Sequence, residues 1–393
     1  MKLKIAIAGG GIGGLAAALA MPRDSSEVTL FERAPAFTEI GAGIQLGPNV
    51  TRILKSWGLL DAVSQVAATP ESLQVRSATT AGVLGELRLG QAIAARYGAP
   101  YLTLHRADLQ GVLLEAAKQT ATTVHSSRAV QRFQQTSDFV SVQTNATTHD
   151  FAVLIGADGL WSNTRQQLLN DGPPRRTGHL AYRALIKQTD LPMQMRRQNV
   201  TAWLGSNMHA VQYPVRGGEW LNIVVFIHGD APDEFQNWDN KAIAADLSQH
   251  LAGCCTALRD MLQAVTDWRL WALFDRPPMQ SANQLAQGRV ALLGDAAHPM
   301  RPYLAQGAGM AIEDAAELGL VLNRATPQNA PTGLQHYAAN RWQRNAKVQA
   351  RALRNGEIFH VTGTVRWSRD VAMKLMGEKL LDMPWLYGYQ QSV

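Results

Sequence analysis

The sequence predicts an α/β protein in which a Rossmann-like nucleotide-binding domain is interleaved with a mostly antiparallel sheet domain and followed by C-terminal helices. Three observations predict this fold class. The first 32 residues contain an apolar run, a glycine cluster, a Leu/Ala-rich run and a second apolar run, which is the order of a strand, turn, helix and strand. Two later apolar runs end in the acid and glycine pairs at 158–159 and 294–295. Residues 176–273 lack this alternation and are rich in Val, Ile, Trp and Tyr, which favours antiparallel strands.

The glycines near the start of the chain follow the spacing G-x-G-x-x-G at Gly9, Gly11 and Gly14. In this pattern the first glycine allows a tight turn, the second lets a pyrophosphate approach the backbone, and the third lets helix and strand pack closely. The start of the following helix presents N–H groups to the phosphates. Glu32 ends the second strand 18 residues after Gly14, near the offset of a carboxylate that binds a ribose hydroxyl. The sequence therefore predicts a dinucleotide site that includes Glu32 and its neighbour Arg33.

The composition is that of a globular enzyme. Lys and Arg exceed Asp and Glu by six, but the basic residues are scattered, so we expect affinity for small anions and not for nucleic acid. The cysteines, Cys254 and Cys255, are adjacent, and no Cys/His spacing suits zinc. The apolar run at 5–20 resembles a signal peptide, but its glycines and the strand after it argue against one. It is also shorter than the ~20 residues of a membrane helix, so we expect a cytoplasmic protein without a transmembrane segment.

Two segments between the signatures contain candidate cofactor contacts. The glycine-spaced loop at 39–49 includes Gly43 and Ile44, whose backbone can approach a flat ligand. A crowded turn is the alternative interpretation. Arg106 stands just before a predicted helix, where it either clamps a pyrophosphate or remains a surface charge.

The later signatures each place an acid at the end of a buried strand. Asp158 and Gly159 precede a helix that carries Arg165, a further candidate cofactor contact. Asp158 either contacts the nucleotide or only caps that helix. Gly294 and Asp295 precede a loop and a long helix, so Asp295 can accept a ribose hydroxyl while the helix start approaches phosphate or ring.

His209 and Tyr213 lie four residues apart on a predicted strand, so their side chains share one face of the sheet. They form either a polar patch in the core or a pair that faces a ligand, and the loop after the third signature favours the ligand. That loop contains two further catalytic candidates, Pro302 and Gln306, and two cofactor-binding candidates, Gly307 and Ala308.

In this order the three signatures resemble those of the flavin-dependent aromatic hydroxylases, in which an FAD domain is interleaved with a substrate domain. The resemblance covers nearly the whole chain. It implies that Glu32, Arg106, Asp158 with Gly159, and Asp295 contact FAD or NAD(P)H. It also implies an FAD-binding domain of the para-hydroxybenzoate hydroxylase type formed by residues 1–72, 102–176 and 280–345, a substrate domain formed by 73–101 and 177–279, and a C-terminal helical segment formed by 346–393.

The segment 209–214 is similar to the substrate-contacting His-x-x-x-Tyr-Pro segment of the hydroxybenzoate and hydroxynicotinate hydroxylases of this family, whereas 301–303 departs from their loop sequence. The resemblance implies a monooxygenase that uses NAD(P)H, with NADH favoured, and O2 to hydroxylate a phenolic or hydroxy-heteroaromatic acid such as 3-hydroxybenzoate through a C4a-hydroperoxyflavin. His209 would form the phenolate, and Tyr213 would orient the substrate. The loop 302–309 would exclude water.

Two alternatives stay open at this point. One is an FAD-dependent epoxidase or Baeyer–Villiger-type oxygenase that acts on a larger substrate, since one scaffold supports several reactions. The other is a non-catalytic FAD-binding redox sensor. The sequence contains no separate nicotinamide-binding unit, so NAD(P)H is expected to bind transiently in a shared groove. A homodimer is left open.

Overall fold

The computed structural model describes residues 2–37, 43–229, 240–242 and 247–390. Residues 39–42 of the predicted glycine loop lie outside these ranges. The strands, numbered in chain order, are β1 (Leu3–Ala8), β2 (Ser26–Phe31), β3 (Gly43–Leu46), β4 (Ser72–Ser77), β5 (Val83–Arg88), β6 (Leu102–His105), β7 (Thr122–His125), β8 (Val130–Gln135), β9 (Val140–Thr144), β10 (Thr148–Phe151), β11 (Val153–Gly156), β12 (Arg175–Lys187), β13 (Val200–Leu204), β14 (Met208–Val215), β15 (Trp220–His228), β16 (Asn240–Ala242), β17 (Trp268–Asp275), β18 (Ala286–Gln287) and β19 (Val290–Leu292).

The α-helices in the described ranges are α1 (Ile12–Ala20), α2 (Pro48–Ser56), α3 (Leu60–Val66), α4 (Gly90–Tyr97), α5 (Arg106–Lys118), α6 (Asn163–Leu169), α7 (Thr256–Gln263), α8 (Gly307–Leu322), α9 (Ala330–Phe359), α10 (Gly363–Leu381) and α11 (Pro384–Tyr387). A short 3-10 helix, Pro302–Leu304, precedes α8. In the part of the chain that the structure covers, no helix has the length and apolar character needed to cross a membrane.

The first sheet has six strands in the order β18-β19-β11-β1-β2-β7. Strands β19, β11, β1, β2 and β7 are parallel to one another, and β18 is antiparallel to β19. The runs in β1 and β11 are almost fully buried, as expected of parallel strands with both faces covered. Parallel pairing puts the carboxyl ends of β1, β2, β11 and β19 at one edge, where ligands of open α/β sheets bind.

The second sheet has eight strands in the order β16-β17-β12-β15-β14-β13-β4-β5. All its pairings are antiparallel except that of β13 with β4. The segments 73–101 and 177–279, which the sequence assigns to the substrate domain, therefore contribute strands to one sheet. This sheet carries the second major core, which includes Trp203, Trp268 and Leu258.

Helix α9 connects the two sheets. Near its start the Tyr337 hydroxyl donates to the Leu292 carbonyl at the end of β19. At its other end His360, the residue after the helix, contacts β14 and β15 of the second sheet. The domain boundary expected between residues 345 and 346 falls inside this helix, which is continuous from Ala330 to Phe359, because buried residues such as Arg341, Val348 and Ala352 continue along one face past that point.

Candidate active site

The three sequence signatures meet at the carboxyl edge of the first sheet. The Gly9 N–H donates to the Phe31 carbonyl at 2.8 Å, and the Ala157 N–H donates to the Ala8 carbonyl at 2.8 Å. The Leu293 N–H donates to the Gly156 carbonyl at 2.9 Å. The ends of β1, β2, β11 and β19 are thus joined side by side, as the sequence predicts for one nucleotide site.

The three glycines of the first signature have different surroundings. Gly9 has a φ of +105°, and a Cβ added there would lie 2.4 Å from the Ala157 carbonyl oxygen. A Cβ at Gly14 would lie 1.9 Å from the Gly9 carbonyl oxygen. A Cβ at Gly11 would meet no described heavy atom within 4 Å. The protein itself therefore requires glycine at positions 9 and 14, whereas Gly11 lies at the open start of α1, where a phosphate can approach.

The Glu32 carboxylate lies directly beside the glycines of the first signature. Its oxygens accept hydrogen bonds from the backbone N–H groups of Gly10 and Ala34, each at 2.7 Å. These bonds fix the carboxylate at the end of β2, where a ribose hydroxyl is expected. The neighbouring Arg33 is exposed, and its predicted cofactor contact stays a prediction.

Asp158 caps the helix that follows it, which is one of the two roles that the sequence left open for this residue. Its carboxylate accepts from the Ser162 hydroxyl at 2.5 Å and from the N–H and hydroxyl of Thr164 at 3.0 Å. Burial raises the pKa of Asp158, while the hydrogen bonds from Ser162 and Thr164 oppose that shift. Gly159 beside it has a φ of +77° and open space at its Cβ position.

Arg165 joins the second signature to the third. Its guanidinium donates to the carbonyls of Ala296 and Ala297 at 3.1 and 2.6 Å and pairs with Asp171 at 2.6 Å. The side chain is buried, so these contacts occupy it within the protein. Arg165 therefore positions the loop after β19, and its predicted contact with a cofactor stays a prediction.

Asp295 faces the start of α8. Gly294 before it has a φ of +58°, and an Asp295 oxygen lies 4.0 Å from the Cβ position of Gly307, the first residue of α8. The Asp295 carboxylate accepts no hydrogen bond from any residue in the described ranges. A carboxylate with no partner among the described residues lies here beside a helix start, where Gly307 and Ala308 present backbone N–H groups. This arrangement suits a ribose or ribityl hydroxyl.

A buried ionic network supports this loop from behind. Asp314 on α8 accepts from His298 Nε2 at 2.5 Å, from Arg341 Nε at 2.8 Å and from Asn345 Nδ2 at 2.9 Å. Burial by itself raises the pKa of Asp314, but the adjacent His298 and Arg341 outweigh it and hold the pKa well below its usual value. The Gly294 N–H also points at this carboxylate, at 3.4 Å, so the network fixes the third signature.

Gln306 lies at the start of α8 and is buried. Its Oε1 accepts from Asn49 Nδ2 at 3.2 Å, so the structure connects it to α2. Pro302 begins the short 3-10 helix before it. The predicted roles of both residues at the substrate stay predictions.

The second sheet presents His209 and Tyr213 on the face that packs against the first domain, as alternation along β14 predicts. The Tyr213 ring lies 2.6 Å from the position of a Cβ on Gly43. The Gly43 N–H donates to Asn222 Oδ1 at 2.8 Å. The glycine loop that includes Gly43 and the half-buried Ile44 thus contacts the substrate sheet.

Two polar groups on this face have buried donor atoms without a hydrogen-bond partner among the described residues: Nδ2 of Asn222 and Nε of Arg183. Asn222 is opposite Tyr213 in the strand register. The Arg183 guanidinium lies over the Trp271 ring at 3.5 Å. Burial lowers the pKa of Arg183 to about 9, Tyr213 opposes the shift and Arg106 adds to it. Arg106 is the first residue of α5, and its predicted contact with the cofactor stays a prediction.

Four histidines gather at the other end of the same face. His209 is 1% exposed, and its Nδ1 lies 2.7 Å from His360 Nε2. His360 Nδ1 lies 3.0 Å from Nε2 of the exposed His228. His179 bonds through Nδ1 to the Tyr303 hydroxyl. Burial and the neighbouring imidazoles His360 and His179 hold the pKa of His209 well below its usual value.

Sequence reasoning did not identify Arg183, Asn222 or Tyr303. It also missed the other three histidines of this cluster, which are His179, His228 and His360. Strand alternation could have placed His179 and Arg183 on one face, because they are four residues apart on β12. The departure of 301–303 from the loop sequence of related hydroxylases could have singled out Tyr303. His360 had no such signal, since it stands at a helix end 151 positions from His209.

The first-domain edge fits a dinucleotide. Gly11 leaves the start of α1 open, Glu32 is held at the ribose position, and the carboxylate of Asp295 has no hydrogen-bond partner in the described ranges. The two helix starts face this edge without an acidic residue in their first turns. These features suit the paired phosphates and ribose and ribityl hydroxyls of FAD.

Comparison with known proteins agrees with this geometry. Residues 2–352 match the family described as FAD binding domain. The chain is 36% identical to a 3-hydroxybenzoate 6-hydroxylase of Polaromonas naphthalenivorans (strain CJ2), over 98% of this chain and 96% of that protein. It is 32% identical to a 6-hydroxynicotinate 3-monooxygenase of Pseudomonas fluorescens, over 88% of this chain and 89% of that protein.

Solved structures share the whole architecture. A salicylate hydroxylase in a substrate complex has a TM-score of 0.84 and 26% identity, and the match covers 99% of this chain and 96% of that one. Klebsiella pneumoniae HpxO complexed with FAD and uric acid also has a TM-score of 0.84, at 23% identity, over 96% of this chain and 94% of that one. The second likeness shows the fold alone.

Proposed function

The chain belongs to the FAD-binding family of aromatic monooxygenases, and we propose that its substrate is a phenolic acid resembling 3-hydroxybenzoate, held between His209 and Tyr213. Membership of this family confirms three predictions from the sequence. They are the fold of the para-hydroxybenzoate hydroxylase type, FAD as cofactor, and hydroxylation of a hydroxy-aromatic acid. When bound, FAD supplies the activation of O2. The residues of this chain bind and orient the substrate, move its proton and exclude water.

The observation that carries the substrate proposal is the pair of buried donors Arg183 Nε and Asn222 Nδ2, which have no hydrogen-bond partner among the described residues. A buried donor without an acceptor costs free energy, and a carboxylate accepts two or more hydrogen bonds. The guanidinium of Arg183, which lies over the Trp271 ring, favours an anionic group at the same place. We assign the carboxylate of the substrate to Arg183 and Asn222, beside the Tyr213 ring.

The phenol end then lies toward His209. The Cα atoms of His209 and Tyr213 are about 13 Å apart, the length of four steps along an extended strand. His209 suits the role of base because Nδ1 is held by His360, while Nε2 makes no hydrogen bond within the described ranges. Its low pKa keeps the ring neutral at pH 7.

The segment after β19 covers the His209 end of this face of the second sheet. Tyr303 and Leu304 are buried, and the Tyr303 ring contacts His209 and Phe226 edge to face. Excluding water prevents the loss of reducing equivalents as peroxide. The proposal includes NADH as the favoured reductant and the cytoplasm as the compartment.

The test is coupled turnover across three acids: 3-hydroxybenzoate, 6-hydroxynicotinate and salicylate. Holoenzyme is mixed with each acid and either NADH or NADPH, and reductant oxidation, hydroxylated product and peroxide are measured separately. We expect 3-hydroxybenzoate to accelerate NADH oxidation and to give product with little peroxide. Oxidation that none of the three acids accelerates, or that yields only peroxide, would contradict the proposed substrate class.

A further inference from the structure

A row of three imidazoles runs from the buried end of the active site to the surface. His209 is 1% exposed and His360 is 7% exposed, whereas His228 is exposed. The successive nitrogen distances are 2.7 Å from His209 to His360 and 3.0 Å from His360 to His228. Both distances are those of hydrogen bonds.

One assignment of ring protons satisfies both hydrogen bonds. If Nδ1 of each ring carries the proton, His209 donates to Nε2 of His360, and His360 donates to Nε2 of His228. Nδ1 of His228 then faces away from the row. In this assignment Nε2 of His209 has a free lone pair, which is the form that a base requires.

Among the described residues, a proton on His209 has no hydrogen-bonded route other than His360. Apart from His360, the rings packed around it are those of Phe226, Phe359 and Tyr303. The Tyr303 hydroxyl is already bonded to His179. A proton taken up by His209 must therefore pass through His360 or remain on a buried ring.

The charges around the row disfavour a resting proton. His360 is faced by His179 and His228 from the second sheet, by Arg301 from the loop and by Arg369 from α10, and burial with these neighbours lowers its pKa to about 3. His179 is faced by His228, Arg301 and the carboxylate of Asp275, and its pKa is lowered to about 4, chiefly by burial. Imidazolium is thus unstable at each buried position.

We propose that His360 and His228 form a path that carries the phenolic proton of the substrate from His209 to solvent. This inference rests on the proposed function, because it takes His209 as the base. The O–H bond of the phenol breaks as a proton binds Nε2 of His209. The Nδ1 proton of His209 moves to Nε2 of His360, the Nδ1 proton of His360 moves to Nε2 of His228, and the Nδ1 proton of His228 leaves to water.

The step balances without another reagent. One proton enters the row and one leaves it, and every ring stays neutral but changes tautomer. No electron is transferred. Return of one proton to the product phenolate along the same row restores the original tautomers before the next turnover.

The test measures proton release directly. Oxidised holoenzyme is mixed in a stopped-flow instrument with the acid of the three above that gives the highest coupled turnover, and a pH indicator reports the released proton. We expect His360→Phe to slow proton release at least about tenfold while FAD content and the first half-reaction with NADH remain normal. His336→Phe is the matched control, because that ring is exposed on the same helix α9.

A surface variant guards against misfolding of His360→Phe. His228→Ala should also slow release, and imidazole added to the buffer should restore it, since a soluble imidazole can take the place of the exposed ring. A structural role of His228 would not respond to imidazole. The rate of the variant should also become dependent on buffer concentration.

Failure of this inference differs from failure of the proposed function. Normal proton release in His360→Phe and His228→Ala, with release lost in His209→Ala, would overturn the path and leave His209 as the base. Normal release in His209→Ala would overturn the role of His209 as the base and the path with it, whereas the proposed substrate class fails only if none of the three acids gives coupled turnover. One equivalent of a divalent metal in purified enzyme that is lost in His360→Phe would also overturn the path, because a metal on these nitrogens would block it.

Discussion

Nδ1 of His209 lies 2.7 Å from Nε2 of His360, a residue 151 positions later in the chain. This contact ties the middle of the second sheet to the end of α9. The same helix contacts the end of β19 near its start, through the Tyr337 hydroxyl and the Leu292 carbonyl. A helix of 30 residues, about 45 Å long, thus spans from the nucleotide edge to the base and sets their relative positions.

Replacing His209 should separate chemistry from cofactor binding. His209→Ala should lower the rate of hydroxylation about 10² to 10⁴-fold, the range for loss of a general base. FAD content should stay near the parental value, because His209 lies on the second sheet and not at Gly9, Gly11 or Gly14 of the first signature. Product formation per NADH consumed measures the effect, and His250→Ala serves as the control because His250 is exposed. Hydroxylation at the parental rate would remove His209 from the mechanism.

The nucleotide edge could be predicted because its information is local. Gly9, Gly11, Gly14 and Glu32 lie within one strand, turn, helix and strand unit, so their spacing alone fixes their relation. The second and third signatures could be assigned to the same site, because parallel strands place all their carboxyl ends at one edge of the sheet. Sequence left the role of Asp158 open, and the structure shows its capping bonds to Ser162 and Thr164.

The row of histidines could not be predicted for the opposite reason. His209, His228 and His360 come together only when two strands and a helix end pack against one another. Nothing in the sequence near His360 specifies that packing. Periodicity can put His209 and Tyr213 on one face, but it cannot say which residues of another element meet that face.

The glycines of the first signature should respond differently to alanine. A Cβ at Gly14 meets the Gly9 carbonyl at 1.9 Å, so Gly14→Ala should destabilise the protein. A Cβ at Gly11 meets no described atom within 4 Å. Gly11→Ala should therefore leave the apoprotein within about 1 kcal/mol of its parental stability and raise the FAD Kd by about tenfold or more, equivalent to ~1.4 kcal/mol.

Fluorescence titration of apoprotein with FAD and urea unfolding check this pair. Gly111→Ala is a suitable control, because Gly111 is exposed within α5 and has open space at its Cβ. It should leave FAD affinity unchanged. Unchanged FAD affinity in Gly11→Ala would mean that the start of α1 does not bind the phosphates.

Arg183 should determine preference for a carboxylated substrate. Arg183→Gln should raise the KM for a hydroxybenzoate about 10 to 100-fold, because a hydrogen bond to a charged group contributes about 1.5–3 kcal/mol. The KM for the matching hydroxybenzyl alcohol, which has no charge, should change little. Steady-state kinetics with both compounds measure the difference. Lys187→Gln provides the control, since Lys187 is exposed on the same strand. An equal rise for acid and alcohol would argue against a carboxylate at Arg183.

Asp314 should stabilise the protein in a pH-dependent way. Removing its charge with Asp314→Asn leaves Arg341 buried beside one fewer anion, and breaking such a pair costs about 3–5 kcal/mol. The folded pKa of Asp314 lies below its usual value. The contribution is therefore present above the pKa of the unfolded chain, about 3.9, and is lost as pH falls from there through the folded pKa.

Urea unfolding of the parent and of Asp314→Asn at pH 7, 5 and 3.5 tests this assignment. The two midpoints should differ by the same amount at pH 7 and pH 5 and should begin to converge at pH 3.5. Glu115→Gln gives the comparison for a solvent-exposed pair, because Glu115 and Lys118 are 68% and 56% exposed, and it should shift the midpoint little at any pH. Because the Gly294 N–H points at the Asp314 carboxylate, the variant should also bind FAD more weakly at pH 7. A difference in midpoint that grows as the pH falls from 7 to 3.5 would show that the folded pKa of Asp314 lies above the unfolded value, and that its charge does not hold the loop after β19.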